Sequence, residues 1–292
     1  MLSIITPTYN RAELLGKCYT SLLQQTCKEF EWIIVDDGST DNTAEAVKEF
    51  DTGKFPIVYV SKENGGKHTA LNTSHSYIHG EYVLILDSDD TLTATAVERV
   101  KNAWRRFFEN EDIGTVIFLK GSSEDMPFCK VDNKDELKPV NSMTCKRICF
   151  RSSDCCEVIR AELFKKYPFP EFEGEKFISE GALWHRVSFT HKSVYVNNVI
   201  YLADYLEGGL TKRGRAMRIR CPLGGMFNSD LLMDRSNSLK SRIKSGLLYT
   251  CYGFFARMKP RQMAKKCRAK GLMYMCLPFG WVLHKCWKKK YA

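Results

Sequence analysis

Tyr82-Val83-Leu84-Ile85-Leu86-Asp87-Ser88-Asp89 is the stretch on which the reading of this chain turns. Residues 82–86 are few, mostly apolar and bounded upstream by Gly80, which predicts a strand buried on both faces. Such a strand delivers Asp87 and Asp89 to its own C-terminal end, where open α/β sheets place their ligands. Hard oxygen ligands at this spacing suit Mg²⁺ or Mn²⁺, which take one or two carboxylates and leave diphosphate oxygens to complete the shell. The same residues also fit a solvated turn that caps a helix starting near Thr93. The neighbouring segments decide between the two.

Three of them repeat the logic. Ser3-Ile4-Ile5-Thr6-Pro7-Thr8-Tyr9-Asn10-Arg11 is a strand, a proline stop, then a polar turn opening a helix. Trp32-Ile33-Ile34-Val35-Asp36-Asp37-Gly38-Ser39-Thr40-Asp41 ends an apolar run in paired carboxylates, with Gly for the turn and Thr40 or Asp41 to cap the next helix. Asn64-Gly65-Gly66-Lys67-His68 follows the short strand 57–60 and precedes a helical stretch over 69–78. Paired glycines allow close approach of backbone to phosphate, a helix start supplies free N–H groups, and Lys67 adds positive charge. Strands alternating with helices at this spacing predict a mostly parallel sheet with crossover helices. Leu14, Leu15, Cys18, Leu22 and Leu23, with Glu13, trace the face on which the first helix packs. Four strand ends rich in Asp, Gly, Lys and Asn predict a nucleotide crevice.

Taken together, SIITPTYNR (3–11), EWIIVDDGSTDNT (31–43), ENGGKHTALN (63–72) and DSDD (87–90) resemble the family-2 glycosyltransferases of the GT-A fold. Order and spacing match across roughly the first ninety residues, a joint signal stronger than any of its parts. The resemblance implies a Rossmann-like nucleotide-binding sheet, a nucleotide-sugar donor, Mn²⁺ or Mg²⁺, and inversion at the anomeric carbon. Carried over by position, Thr6, Pro7 and Tyr9 would wall the base pocket, and Asp36 would accept a hydrogen bond from the base. Lys67 would lie near the donor, Asp87 would face the ribose, and Asp89 would hold the metal. Arg11, Gly66 and Ser88 fall among the donor-contacting positions. Asp37 would touch the donor or cap the turn. His68 would reach the diphosphate or sit solvated in a first helical turn, with Asn72 one turn on along the same face.

A transferase also needs a base for the acceptor hydroxyl, and in this family it is an acidic side chain opening a helix in the second half. Phe177-Ile178-Ser179-Glu180-Gly181-Ala182-Leu183-Trp184 resembles that element. Glu180 takes the acidic position, while Gly181 stands where a second acid is common. Near Phe177 and Trp184, Glu180 would be partly desolvated, which raises a carboxyl pKa and makes a better base. A first-turn Glu favoured by the helix dipole is the plainer alternative.

At 292 residues and 44% hydrophobic, the chain can bury a sizeable core in one large domain or two intimate halves. The expected division is a donor-binding half over 1–120, an acceptor half over 121–234 with the catalytic base, and a basic amphipathic tail over 235–292. Residues 121–142 are polar with two prolines and predict a surface excursion near the sheet edge. Residues 193–196 and 199–202 read as strands, and 205–211 as a turn over an acceptor cleft. That last stretch loosely resembles bacterial polysaccharide glycosyltransferases. Twelve cysteines include the adjacent Cys155-Cys156 and the pair Cys145 and Cys149, but no Cys-x-x-Cys, which argues against zinc or a disulfide framework. Nothing resembling a signal peptide precedes the first strand, so the expected compartment is a reducing cytosol.

Charge is unevenly placed. From Arg235 onward there are 15 Lys and Arg and no Asp or Glu, while the first 234 residues carry 29 basic against 34 acidic groups. The same region holds Ile243, Leu247, Leu248, Cys251, Phe254, Phe255 and Met258 at helical spacing, then Gly271 to Trp281 between basic runs. Both apolar stretches are shorter than the ~20 residues a spanning helix needs. Basic flanks around short apolar faces with Trp and Tyr describe helices lying on an anionic membrane surface. Nucleic acid, the competing partner, is disfavoured by so many bulky apolar groups. Residues 243–258 alone also fit an ordinary core helix.

The expected activity is transfer of a hexose or N-acetylhexosamine from a nucleotide-sugar, UDP favoured over GDP, to a saccharide acceptor. A lipid-linked acceptor in cell-surface polysaccharide assembly would place the enzyme peripherally on the cytosolic membrane face. A GDP-sugar donor, a soluble or protein acceptor, and a non-catalytic scaffold of the same fold stay open. Retention of Asp36, Asp87, Asp89 and Glu180 speaks against the scaffold. A pyrophosphorylase would open with a Gly-rich basic loop, which Thr6 to Asn10 is not.

Overall fold

The computed structural model describes residues 1–129, 136–141, 155–203 and 210–291. Two compact units divide the chain: Met1–Pro168 with Val187–Tyr205, and Phe169–Arg186 with Leu206–Ala292. The expected boundary at 120 falls within a strand of the first unit, and position 235 falls within the second.

The first unit is built on one ten-stranded sheet. Its strands are β1 (Leu2–Thr8), β2 (Phe30–Asp36), β3 (Ile57–Ser61), β4 (Tyr82–Ile85), β5 (Thr91–Leu92), β6 (Ile113–Ser123), β7 (Met126–Pro127), β8 (Val140–Asn141), β9 (Cys155–Arg160) and β10 (Lys192–Leu202). They run in the order β3-β2-β1-β4-β9-β6-β10-β5, with β7 beside β6 and β8 beside β10. β3, β2, β1 and β4 are mutually parallel, so the strands expected at 3–6, 32–35 and 82–86 share one sheet.

β9 runs antiparallel to both β4 and β6, which makes the sheet mixed rather than mostly parallel. β6 and β10 are parallel again, and β10 joins the two segments expected at 193–196 and 199–202 through irregular register. Within the expected excursion 121–142, β6 continues to Ser123 and turns back into β7. Residues 130–135 and 142 of that excursion, Cys145, Cys149 and positions 205–209 of the expected turn lie outside the described residues.

Both sheet faces are covered, which explains the continuous apolar runs. Ile4, Trp32, Ile34 and Leu84 meet Leu15, Cys18 and Leu22 of helix α1 (Ala12–Leu23) in one core cluster, while Ile5, Ile33 and Val83 are also fully buried. Glu13 of that helix is exposed. Gly80 is required by close approach: a Cβ there would lie 2.6 Å from Ser3 Oγ and 2.7 Å from the Ser3 amide. The remaining helices of this unit are α2 (Thr43–Lys48), α3 (Lys67–Ser74), α4 (Ala96–Arg105) and α5 (Ala161–Lys166). α3 begins two residues earlier than expected and ends at Ser74, followed by a single 3₁₀ turn, His75–Tyr77. The helix expected near Thr93 is α4, which starts at Ala96 because β5 intervenes.

The second unit is helical, with α6 (Gly181–Ser188, of which residues 181–186 belong here), α7 (Leu210–Arg220), α8 (Pro222–Leu232), α9 (Leu239–Phe255), α10 (Pro260–Lys266) and α11 (Lys270–Tyr291). Met226, Met233, Tyr249, Tyr252, Met263 and Met273 form its core. The stretch 243–258 is therefore largely α9, a core helix, and the basic region is part of a packed bundle. α9 and α11 touch closely at two glycines: a Cβ on Gly280 would fall 1.9 Å from Thr250 Oγ1, and one on Gly246 would lie 2.9 Å from Cys276 Sγ. Tyr249 Oη donates to the Met263 carbonyl at 2.8 Å, and Arg268 binds Asp230 through its amide (2.8 Å) and Nε (2.9 Å). Among the described residues no helix is long and apolar enough to cross a membrane.

Candidate nucleotide site

Parallel pairing brings the C-terminal ends of β1, β2, β3 and β4 to one edge of the first unit. Backbone bonds carry the ladder past the strands: Asp37 N–H to Thr8 O (2.8 Å), Lys62 N–H to Asp36 O (3.0 Å) and Leu86 N–H to Ile5 O (2.9 Å). The loops beyond are tied together. Asn10, at φ 51°, donates its amide to Ser39 Oγ (2.8 Å), and its Oδ1 accepts from the Thr40 amide (2.8 Å). Asp41 Oδ2 accepts from the Ala12 amide (3.2 Å) and Oδ1 from the Thr43 amide (3.1 Å), so one carboxylate holds the first turns of α1 and α2. Neither expected residue is the N-cap of α2, which is Asn42; Asp41 binds the Thr43 amide from one residue before it, and Thr40 serves Asn10.

Thr6 is fully buried, and its hydroxyl accepts from Trp32 Nε1 at 2.9 Å. Strand alternation turns its side chain toward the α1 side of the sheet, beneath the strand end where the base pocket is expected. Pro7 is buried at the strand end, while Tyr9 is 47% exposed at the rim. Arg11 Nη1 lies 3.7 Å from Asp89 Oδ2, which links the first and fourth strand ends electrostatically.

Asp36 and Asp37 are both buried but do different work. Asp36 Oδ1 accepts from the Ser39 amide (2.8 Å) and Oδ2 from Tyr59 Oη (2.6 Å). Burial, then the Asp36 carboxylate, raises the Tyr59 phenol, so it stays a donor at neutral pH. Asp37 organises the glycine loop. Its Oδ1 accepts from Lys62 Nζ (2.8 Å) and the Gly65 amide (2.9 Å), and its Oδ2 from the Gly66 amide (2.6 Å) and Asn64 Nδ2 (3.2 Å). The N–H groups of Gly65 and Gly66, the paired glycines expected to let backbone approach a phosphate, are thus bound to Asp37. Gly66 sits at φ 96°, where a side chain would be strained, and opens α3. His68 is buried in α3 rather than solvated, and Asn72, half-buried, follows one turn later.

Beyond β4, Lys67 Nζ forms an ion pair with Asp87 Oδ1. Burial opposes ionisation of Asp87, but Lys67, Lys120 and Arg11 outweigh it and hold the carboxyl below its ordinary range. Ser88 is buried and Asp89 half-buried. Asp90 is buried, and desolvation pushes it up to about 7; a bond from Tyr201 works against that rise, and the Asp87 and Asp89 charges add to it. Tyr201, fully buried on β10, donates from Oη to Asp90 Oδ2 (2.7 Å) and accepts from the Asp87 amide (3.0 Å). Lys120 Nζ lies 4.1 Å from the centre of the Tyr201 ring. Sequence reasoning missed Tyr59, Lys62, Lys120 and Tyr201. Lys62 was detectable as a charge beside the glycine loop, whereas Lys120 and Tyr201 lie on strands far along the chain.

This edge presents the Asp87 and Asp89 carboxylates beside Arg11, Lys67 and Lys120, a set able to hold a polyanion together with a cation. Among the described residues no group of three or more His, Cys, Asp and Glu could enclose a metal ion. Two carboxylates with an exposed side fit Mg²⁺ or Mn²⁺ when phosphate and water complete the shell. In the second unit, Glu180 is half-buried immediately before α6, and its carbonyl accepts from the Leu183 (2.9 Å) and Trp184 (3.3 Å) amides. Glu175, also buried, caps α8 through the Leu223 (2.7 Å) and Gly224 (2.8 Å) amides.

Residues 3–167 match the sequence profile described as Glycosyl transferase family 2. Glycosyltransferase GlyA of Streptococcus pneumoniae is 28% identical over 224 residues, a match covering 72% of this chain but 31% of GlyA. The chain therefore spans about a third of that relative. The crystal structure of S. aureus TarS residues 1–349 in complex with UDP-GlcNAc aligns with a TM-score of 0.61 at 17% identity, over 99% of this chain and 91% of that one. Mannosyltransferase PcManGT from Pyrobaculum calidifontis, in complex with GDP-Man and Mn²⁺, aligns with a TM-score of 0.58 at 19% identity, over 99% and 82%.

Proposed function

Because this chain belongs to glycosyl transferase family 2 and has the GT-A fold, we propose that it is an inverting transferase. It moves a hexose or N-acetylhexosamine from a nucleotide-sugar, favourably a UDP-sugar, to a hydroxyl of a saccharide acceptor. The observation that carries this reading is the gathering of Asp36, Asp87 and Asp89 with Arg11 and Lys67 at the C-terminal edge of four parallel strands.

Tyr9, Pro7 and Asp36 surround the base, and Asp87 and Ser88 face the ribose. Lys67 and Arg11 balance the diphosphate, and Gly66 shapes the approach while Asp37 sets its loop. His68 and Asn72 support the same region from α3. A divalent cation, Mn²⁺ or Mg²⁺, held by Asp89 would neutralise charge on the leaving diphosphate. Glu180 takes the proton from the acceptor hydroxyl as that oxygen attacks the anomeric carbon and the bond to the diphosphate breaks. Inversion follows from a single displacement.

The acceptor is proposed to be a lipid-linked saccharide of cell-surface polysaccharide assembly, met peripherally on the cytosolic face. The acid-free basic region from Arg235 onward supports that choice. The donor half is tested by thermal shift with UDP, UDP-sugars and GDP, with and without Mn²⁺, since a ligand that binds only the native state raises its stability. A Mn²⁺-dependent rise with a uridine nucleotide, absent in Asp89→Ala, is expected. An Asp89→Ala enzyme fully active in EDTA would refute the metal assignment.

A further inference from the structure

Packing leaves α11 two-sided. Met273, Cys276 and Gly280 are buried against the bundle, whereas Tyr274, Met275, Phe279, Trp281 and Val282 are between 49% and 65% exposed. At 100° per residue these five fall on the outward arc, over little more than two turns. Large side chains this exposed and contiguous mark an interaction surface, since singly scattered ones would need no explanation.

The charges around the stripe say what covers it. In sequence, Lys265, Lys266 and Lys270 precede it, and Lys285, Lys288, Lys289 and Lys290 lie toward or beyond its C-terminal end; Arg268 is held by Asp230 and Asp234. Lys285 Nζ sits 5.2 Å from the centre of the Trp281 ring. The C-terminal lysines also complement the helix dipole, but the dipole accounts for neither the exposed aromatic groups nor the basic run at the other end. An apolar strip about 12 Å long, bracketed by cations, fits a surface that is apolar below and anionic at its rim.

We infer that the outward face of α11 is the surface by which this protein lies on an anionic lipid bilayer, with Met275 and Val282 at its centre in the acyl boundary, Phe279 and Trp281 at its edges, and the flanking lysines among the headgroups. This deepens the membrane-associated reading above and rests on it, while the exposed apolar stripe and the lysines around it select lipid as the occupant. The face is narrower than the whole basic region, because the apolar groups of α9 contribute to the bundle.

The experiment is flotation of the full chain with phosphatidylcholine vesicles and with vesicles containing about one third phosphatidylglycerol, at low and high salt. Wild type is expected on the anionic vesicles, weakened but not abolished by salt, because the apolar contribution is unscreened. Met275→Ser/Phe279→Ser/Val282→Ser is expected to bind at least a hundredfold more weakly at either salt concentration. Lys288→Gln/Lys289→Gln/Lys290→Gln should lose about a hundredfold at low salt, roughly fivefold per lysine.

Helical circular dichroism checks that both variants fold. The inference is overturned if wild type ignores anionic vesicles or if the serine variant binds like wild type. It is equally overturned if light scattering shows a wild-type dimer that the serine variant dissolves, since the face then holds a second copy. Nucleotide-induced thermal shift is measured separately. Its absence from a protein that still floats would defeat the transferase reading and leave the docking face standing.

Discussion

Replacing Tyr201 by Phe removes a single oxygen from a fully buried ring, so packing and the approach of Lys120 are conserved. The loss falls on two groups: Asp90 Oδ2, which accepts the phenol at 2.7 Å, and the Asp87 amide, which donates to it at 3.0 Å. A buried polar group left unsatisfied costs ~1–3 kcal/mol, so the variant should be destabilised by about 3 kcal/mol in urea unfolding. The pH dependence should move as well. Asp90 is raised from 3.8 to about 7, so it favours the folded state most below pH 3.8 and loses that contribution as pH rises to about 7. The Tyr201 bond favours the ionised form; without it the window should extend above pH 7. The amide of Asp87 would no longer be tethered, and Mn²⁺-dependent donor binding should weaken by about tenfold, as 1–2 kcal/mol of lost positioning implies. A variant within 0.5 kcal/mol of wild type, with unchanged pH profile and Mn²⁺ dependence, would refute the assignment of Tyr201 as the anchor of this loop.

Asp37→Asn sets an amide against the Gly66 and Asn64 donors, or against Lys62 and Gly65, and should cost about 3 kcal/mol of stability by loss of two charge-assisted bonds. Calorimetry of nucleotide binding should show weakened affinity because α3 and Lys67 shift with the loop. Glu180→Gln should leave donor affinity intact while lowering kcat and kcat/KM together, as expected of a base acting only in the transition state; normal turnover with weak donor binding would place it in the wrong role. His75 is held at about 4 by burial, with Lys165 adding to the effect, so it favours folding above its unfolded value of 6.5 and loses that contribution as pH falls toward 4. His75→Phe, beside Phe164, should reduce that acid sensitivity by up to roughly 3 kcal/mol in denaturation curves at pH 4.5 against pH 7.5.

The parallel half of the sheet was legible because β1, β2 and β4 are buried on both faces and so read as unbroken apolar runs ending in polar turns. Asp36, Asp87 and Asp89 were legible for the same reason: a strand end fixes where the next side chains go. Side-chain direction was less accessible. Thr6 and His68 sit in motif positions yet face the interior, because alternation along β1 and the inner face of α3 decide their surroundings. The glycine loop read as a phosphate cradle, but Asp37 occupies its amides. β9 was missed because its identity as a strand comes from β4 and β6 on either side, not from a local pattern. Lys120 and Tyr201 carry no local signal, since only the closing of the sheet brings them to Asp87 and Asp90.

β10 closes the first unit only after the chain has supplied residues 169–186 to the second. A fragment stopping near 168 would hold the whole profile match, which ends at 167, and all four donor-side motifs. It would nevertheless lack β10, so β6 would keep β9 on one side and expose the ladder groups of its other side, which is built to be paired. Asp90 would lose its phenol at the same cut. Such a minimal fragment should aggregate on expression, and family recognition by sequence here reaches less far than the unit able to fold.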